Sequence, residues 1–343
     1  MGLVMAGALF THRTSDLLAE AAMLLREGKL VAFPTETVYG LGADGLNAQA
    51  VAAIFRAKGR PSTNPIILHV SGLAMVKRLV THLTPQALRL MEAFWPGPLT
   101  VVLPRSLQVP DAVTAGGRTV ALRMPAHPIA LGLIRALDRP IAAPSANRSE
   151  HVSPTCAEHV AADLEGRIDL LLDGGPCGMG LESTVVDLSG PLPRLLRRGP
   201  LLPSHLARVL GRPLIEDDGC DEGRAASPGR SPRHYAPQVP LVLSTEALAE
   251  LQRGEGRQAW LRLGSHGEAP KGVIVHDLPS DPVGYARGLY AALRELEILP
   301  VLRIVADLPP DAEPWRAVRD RLTRAAVPAA PSARSTHDHA CPA

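Results

Sequence analysis

Short apolar runs alternate with segments of helical spacing through the first two thirds of this chain, and that alternation limits what it can fold into. Leu30–Phe33, Ile66–Val70, Leu99–Leu103, Val120–Arg123 and Ile141–Ala143 are too short for helices and rich in aliphatic residues, so they read as strands. Leu170–Leu172, Val185–Leu188 and Leu195–Leu196 continue the series. Between them, Asp16–Glu27 carries Leu17, Leu18, Ala21, Leu24 and Leu25 on one helical face, with Thr14 or Ser15 as cap and Gly28 as stop. Asn47 caps a helix that runs through Ala57 and stops at Gly59. Thr84-Pro85 opens another, with proline at its first position, and it ends before Trp95-Pro96-Gly97-Pro98. His127–Leu137 and Thr155–Leu164 complete the helices. Strands and helices in this order build an α/β domain that ends near Leu210.

At 343 residues the chain exceeds ordinary single-domain size, so a second domain is expected. From Glu216 to Pro237 glycine, serine, proline and acidic residues dominate, which is the composition of a linker. Beyond it, Leu241–Leu243, a helix from Thr245, Ala259–Leu263, Val273–Val275, a helix over Pro282–Glu297, Leu302–Val305 and a helix over Trp315–Ala325 describe a smaller α/β unit. The expected division is a first domain over 10–212, a linker over 213–238, a second domain over 239–327 and an unstructured tail over 328–343. A net charge of +2 argues neither for nor against nucleic acid. The four cysteines are scattered with no CxxC pair, which fits neither a zinc site nor a disulfide framework and suits a reducing compartment. No run reaches the length of a membrane span and no secretion signal opens the chain, so no membrane partner and a cytoplasmic location are expected.

The chemistry concentrates at a few strand ends. Pro34-Thr35-Glu36-Thr37-Val38-Tyr39-Gly40-Leu41-Gly42 crowds hydroxyls and a carboxylate into a loop after a strand, and Lys58-Gly59-Arg60 follows one helix later. Two cations past a helix end either favour the helix dipole or clamp a phosphate, lysine as a point charge and arginine as a fork. Asn64 is close enough in sequence to orient the same ligand. Ser145 and Asn147 in Pro144-Ser145-Ala146-Asn147, and Glu182-Ser183-Thr184, also flank strands; they are ordinary turn residues or polar contacts for a ligand. Arg123 and Arg197 end strands, and open α/β sheets bind ligands at that edge. His69 inside Ile66–Val70 reads as a satisfied sheet residue or a site residue. There is no P-loop, and Gly40-Leu41-Gly42 lacks the third glycine of a dinucleotide fingerprint. Residues alone take the reading to an anion-binding α/β protein.

Seven strings in order carry it further: Phe33–Gly42, Ile54–Asn64, Pro65–Val70, Trp95–Thr100, Val120–Pro128, Ile141–Asn147 and Glu182–Val185. Together they resemble the YrdC-like family in its long, two-domain form, the L-threonylcarbamoyladenylate synthases. The resemblance implies an α/β fold with a twisted open sheet, helices and a ligand cleft, plus a smaller C-terminal Rossmann-like domain. It also implies an enzyme, a nucleotidyltransferase that condenses L-threonine, bicarbonate and ATP to threonylcarbamoyl-AMP and pyrophosphate. Mg2+ would ride on ATP, with no dedicated protein metal site. The product would pass to the tRNA threonylcarbamoyl transferase machinery, with direct contact to tRNA left open.

Residue by residue, the family's Lys-x-Arg and Ser-x-Asn signature falls on Lys58, Arg60, Ser145 and Asn147, which the resemblance makes catalytic. Nucleotide contacts are implied for Lys58, Arg60, Asn64, Thr119, Ser145, Ser153 and Arg197. A threonine pocket is implied for Thr35, Thr37, His69, Arg123 and Ser183, with Thr37 also implied as a nucleotide contact. The stretch Pro228–Pro237 resembles a linker that folds over the site in the long form, which makes His234 and Tyr235 lid residues that touch ATP. Arg230-Ser231-Pro232 replaces the usual Met-Lys-Tyr there. The competing reading is an RNA-binding or ribosome-associated module on the same fold, without adenylate synthesis.

Overall fold

In the computed structural model, which describes residues 2–5, 12–216 and 235–326, the strand Val31–Phe33 stops at Pro34 as the sequence predicts. The chain then returns as a second strand, Gly40–Asp44, antiparallel to the first with Ala32 opposite Leu41. Sequence reading had left that stretch as loop, because two glycines weaken a strand's intrinsic signal. The reason for glycine is steric. A Cβ on Gly42 would stand 2.8 Å from Phe33 Cε1 and 2.9 Å from Ile141 Cγ2, so the neighbouring strands leave room only for hydrogen.

This hairpin lies inside an eleven-stranded mixed sheet. In spatial order its strands are Gly2–Met5, Leu170–Asp173, Val31–Phe33, Gly40–Asp44, Ile141–Ala142, Ile67–His69, Thr119–Arg123, Leu99–Pro104, Thr184–Asp187, Arg194–Arg197 and Ile215–Glu216. Ile67–His69 and Thr119–Arg123 are parallel, with His69 opposite Arg123, whereas Leu99–Pro104 runs antiparallel to the latter with Thr100 opposite Arg123. Ile215–Glu216 pairs with Arg194–Arg197, so the sheet extends into the stretch that composition had read as linker.

The helix ends follow local chemistry. Asn47 Oδ1 accepts from the amides of Gln49 and Ala50, and Gly59 ends that helix in the left-handed region at φ 62°. Thr84 caps Pro85–Phe94 by accepting from Ala87 N at 3.1 Å. The first helix starts at His12, ahead of the expected Thr14 or Ser15 cap. Helices Leu73–Leu79, Asp111–Thr114 and Pro203–Leu210 had gone unread, each too short to show helical spacing over a useful window.

Strand alternation separates the two faces of the central strands. Leu68, Val101, Leu103, Val120, Leu122 and Val186 point into the main helix-covered core. Ile67, Val102, Ala121, Val185 and Leu196 form a small apolar floor on the opposite face. His69, Arg123, Thr119, Thr100 and Ser183 lie at even spacing from these floor residues on their own strands or strand extensions, and so share their face. The floor is where polar groups converge.

The second sheet is wholly parallel, ordered Leu241–Ser244, Arg303–Asp307, Gln258–Leu263 and Ile274–Leu278, with helices Ala247–Arg253, Pro282–Glu297 and Arg316–Ala325. Its apolar core, including Tyr285, Leu289 and Leu322, is continuous with Val38, Val152, Leu181 and Tyr235 from earlier in the chain. The helix Pro282–Glu297 lies so close to the glycine-rich stretch before Glu182 that a Cβ on Gly180 would meet Ala286 O at 2.5 Å. Arg287 Nε donates to Gly178 O at 2.8 Å, and Arg294 Nη2 donates to Asp163 Oδ2 at 2.7 Å.

Two substitutions test this packing. Gly42→Ala overfills the hairpin and is expected to cost about 1–3 kcal/mol in urea denaturation, and an unchanged midpoint would contradict the close approach of Phe33 and Ile141. Asn47→Ala should lose about 1 kcal/mol through the missing cap.

Candidate active site

The helix Ala48–Lys58 ends in a Gly59 turn that brings Arg60 N back to Phe55 O at 3.0 Å. This Schellman-type closure turns Arg60 toward a cavity on the floor face of the sheet. Arg60, Arg123 and Arg197 all line that cavity, together with Thr35, Thr37, His69, Ser145, Ser183 and Tyr235. Nine of the residues singled out from sequence therefore share one wall.

Thr35 is buried and fully engaged. Its Oγ1 accepts from the amides of Thr37 (3.1 Å) and Val38 (3.2 Å) and donates to Val38 O at 2.6 Å, so the 2.9 Å contact to Thr37 Oγ1 is donated by Thr37. That knot of bonds fixes the loop after Pro34. Ser183 Oγ lies 2.7 Å from Thr100 Oγ1 and accepts from Arg197 Nη2 at 3.1 Å, while Arg197 Nε donates to Ser183 O at 3.0 Å. Arg123 Nε donates to Gly97 O at 3.3 Å, and its Nη2 stands 2.7 Å from Glu36 Oε1. Burial alone would raise the Glu36 carboxyl, but Arg123 and the amide of Ala126 bring it below the ordinary glutamate range. Glu36 is the partner of Arg123 that sequence reading had passed over.

Lys58, Asn147 and Ser153 stand behind the wall. Lys58 is 3% exposed, and its Nζ donates to Ser145 O at 2.6 Å, to Asn147 O and to Asn147 Oδ1 at 3.3 Å. Burial first, and Arg60 next, push its pKa well down. Asn147 Nδ2 in turn donates to Arg148 O (2.9 Å) and His151 O (2.7 Å). Lysine and asparagine together shape the turn that presents Ser145 to the cavity. Ser153 Oγ donates to Glu182 Oε1 at 2.6 Å.

Asn64 and Thr119 do not line the cavity, and Thr119 begins the strand that Arg123 ends. Ile67 pairs with Ala121 and His69 with Arg123, so the same parallel register sets Pro65 level with Thr119. Arg60 Nη2 donates to Pro65 O at 3.3 Å, which places Arg60 toward that end. Thr119 and Arg123 are four residues apart on one strand, about 13 Å at the usual rise. The site thus runs from Arg60 and Thr119 at one end to His69, Arg123 and Glu36 at the other.

Electrostatics differ along it. Burial lowers Arg60, with Tyr235 opposing and Arg197 reinforcing, to a pKa of about 10, and its Nε has no hydrogen-bond partner. His69 is 4% exposed, its Nδ1 lacks a partner, and burial followed by Arg123 pushes its pKa down to about 3, so the imidazole is neutral. Glu182 also lines the cavity. Burial would raise its carboxyl, but Arg321, then Arg197, hold it below the ordinary range.

Tyr235 is 1% exposed and closes the cavity from the far side. His234, the other expected lid residue, lies outside the described residues. The sequence brings Glu36 and Glu182 into view only as loop or turn residues and assigns neither to a substrate; each has a signal in lying within a family-like string, PTETVYG and EST.

Comparison with known proteins follows this layout. Residues 23–199 match the Sua5/YciO/YrdC family, described as telomere recombination, and residues 203–327 match the C-terminal domain of threonylcarbamoyl-AMP synthase. Over 324 residues the chain is 44% identical to the threonylcarbamoyl-AMP synthase of Bacillus subtilis (strain 168), covering 90% of this chain and 92% of that protein. Identity to the protein of the same name from Pyrococcus abyssi is 42% over 317 residues, 89% and 92% of the two chains. The crystal structure of P. abyssi Sua5 complexed with L-threonine superposes with a TM-score of 0.87 at 39% identity, covering 95% of this chain and 98% of that one. Matched across both domains in sequence and in fold, the chain belongs to the Sua5/YciO/YrdC family in its two-domain form.

Proposed function

We propose that this protein is an L-threonylcarbamoyladenylate synthase, which joins L-threonine, bicarbonate and ATP into threonylcarbamoyl-AMP and releases pyrophosphate. The observation that carries the reading is the convergence of three guanidinium groups, Arg60, Arg123 and Arg197, on one cavity with the hydroxyls of Thr35, Ser145 and Ser183. The threonine amine displaces water from bicarbonate to give a carbamate, a carbamate oxygen attacks the α-phosphorus, and the bond to pyrophosphate breaks as pyrophosphate leaves. No covalent enzyme intermediate is needed, so catalysis is positioning and charge neutralisation.

The two ends of the floor suit the two substrates. Arg123, already oriented by Gly97 O and Glu36, offers its remaining donor edge to the threonine carboxylate. Neutral His69 offers a hydrogen bond without adding charge beside that arginine. Arg60 faces the nucleotide, with Asn64 and Thr119 as further nucleotide contacts in this reading, and a phosphate anion would offset the charge that burial disfavours. ATP arrives with Mg2+ on its phosphates. The Glu36 and Glu182 carboxylates are committed to Arg123 and Arg321, so cations rather than an acidic cage receive it. Lys58 and Asn147 act by holding the Ser145 turn. The same reading makes this a cytoplasmic enzyme whose product feeds a tRNA threonylcarbamoyl transferase. It accords with the names of the relatives and with the L-threonine bound to the P. abyssi protein.

Purified protein with L-threonine, bicarbonate and MgATP should form threonylcarbamoyl-AMP by mass spectrometry, and Arg60→Ala should lower its rate about a hundredfold. A wild-type protein that forms none, yet binds tRNA in a salt-sensitive way, would replace this reading with the RNA-binding one. The neutral state of His69 has a separate signature. Its folded pKa of about 3 lies below the free value of 6.5, so below pH 6.5 the unfolded chain takes up a proton that the folded chain refuses. Stability therefore falls with acidification between these values, by about 2 kcal/mol at pH 5 from this residue. His69→Gln should remove that part of the pH dependence in urea denaturation at pH 7.5 and pH 5, and parallel losses in both proteins would rule out a neutral buried imidazole.

A further inference from the structure

The helix Pro282–Glu297 presents Arg287, Tyr290 and Arg294 at spacings of three and four, one face of a helix, and each of the three reaches the first domain. The middle contact is at the cavity. Tyr290 OH donates to Glu182 Oε2 at 3.0 Å, and Arg321 Nε donates to the same oxygen at 2.9 Å. The other Glu182 oxygen accepts from Ser153, so one buried carboxylate gathers a residue of the first domain and two of the second.

Above this carboxylate sits Tyr235. Its ring is stacked on Tyr290, centroids 5.7 Å apart at 24°, and the Arg321 guanidinium lies 4.9 Å from the ring centroid. Its backbone is left-handed, φ 61°, a conformation that a tyrosine adopts only when its surroundings hold it there. Ala236 N donates to Glu150 O at 3.1 Å and ties down the next residue. Tyr235 also faces Arg60 and Arg197 across the cavity. Tyr290 and Arg321, which both lie against its ring, come from the second domain, while Arg60 and Arg197, which it faces, belong to the site.

We propose that Tyr290 and Arg321, anchored on Glu182, are positioning residues of the second domain that hold the Tyr235 ring over the cavity. This rests on the adenylate-synthase reading for its catalytic consequence but not for its geometry. The second domain then completes the active site without touching the substrates. Adenylate formation depends on it because the wall that shuts water from the reacting carbamate is mounted on it.

Two measurements on the full chain test this. Hydrogen exchange at the Ala236 amide should speed up at least tenfold in Tyr290→Leu, while amides of Val120–Arg123 keep wild-type rates; Tyr290→Phe, which keeps the ring, should restore protection. Product formation is then compared in Tyr235→Ala, Tyr290→Leu and the double variant. Tyr290→Leu should lower kcat about tenfold with KM for L-threonine within twofold of wild type, and adding it to Tyr235→Ala should lower kcat no further. Unchanged Ala236 protection, or losses that multiply in the double variant, would overturn the proposal. If the wild-type protein forms no adenylate, the functional reading fails on its own and the exchange measurement alone decides the positioning role.

Discussion

The buried carboxylate of Glu182 is the constraint on which the rest of the molecule turns. A charge with 6% exposure persists only if its lone pairs are filled, and here Ser153, Tyr290 and Arg321 fill them. Those three partners come from a loop of the first domain and from two helices of the second. Satisfying one anion therefore fixes how the second domain stands against the sheet face that carries the cavity. The cations around the cavity depend on the same arrangement. Arg197 borrows field from Glu182, and Arg123 is balanced by Glu36, which lessens the repulsion among the three arginines of the cavity.

The floor shows how a sheet becomes a measuring surface. Small aliphatic residues at alternate positions leave depth, and polar residues two positions further along the same strands rise at its rim. Because strand rise is nearly constant, the distance between the cationic end at Arg60 and the Arg123 end is built into the backbone. Side chains tune what is bound, and the strand sets how far apart its two ends must be.

Much of the scaffold was legible in the sequence because the relevant forces are local. Asn47, Gly59, Thr84 and Pro85 announce helix ends through capping geometry that needs only a few neighbouring residues, and the structure places those ends as expected. Gly40–Asp44 was illegible for the opposite reason. Its glycines answer to Phe33 and to Ile141, a hundred positions away, and no local rule distinguishes crowding from a turn. The site divides the same way. Resemblance pointed to Lys58 and Asn147, but that the lysine would donate to carbonyls at Ser145 and Asn147 depends on a contact 87 and 89 positions distant. Glu182 has its arginine partner 139 positions along the chain, so nothing near it in sequence shows why a carboxylate should be buried there.

Gly180 joins the two domains sterically. Helix Pro282–Glu297 rests on it with space for no side chain, and the neighbouring contacts of Arg287, Tyr290 and Arg294 are set by that fit. The boundary that matters for exchange between relatives is thus not the stretch where the chain crosses from one domain to the other. A transplanted C-terminal domain would need its own Gly178–Glu182 segment to travel with it. The fit between the two halves is set at this seam, far along the chain from the connection between them.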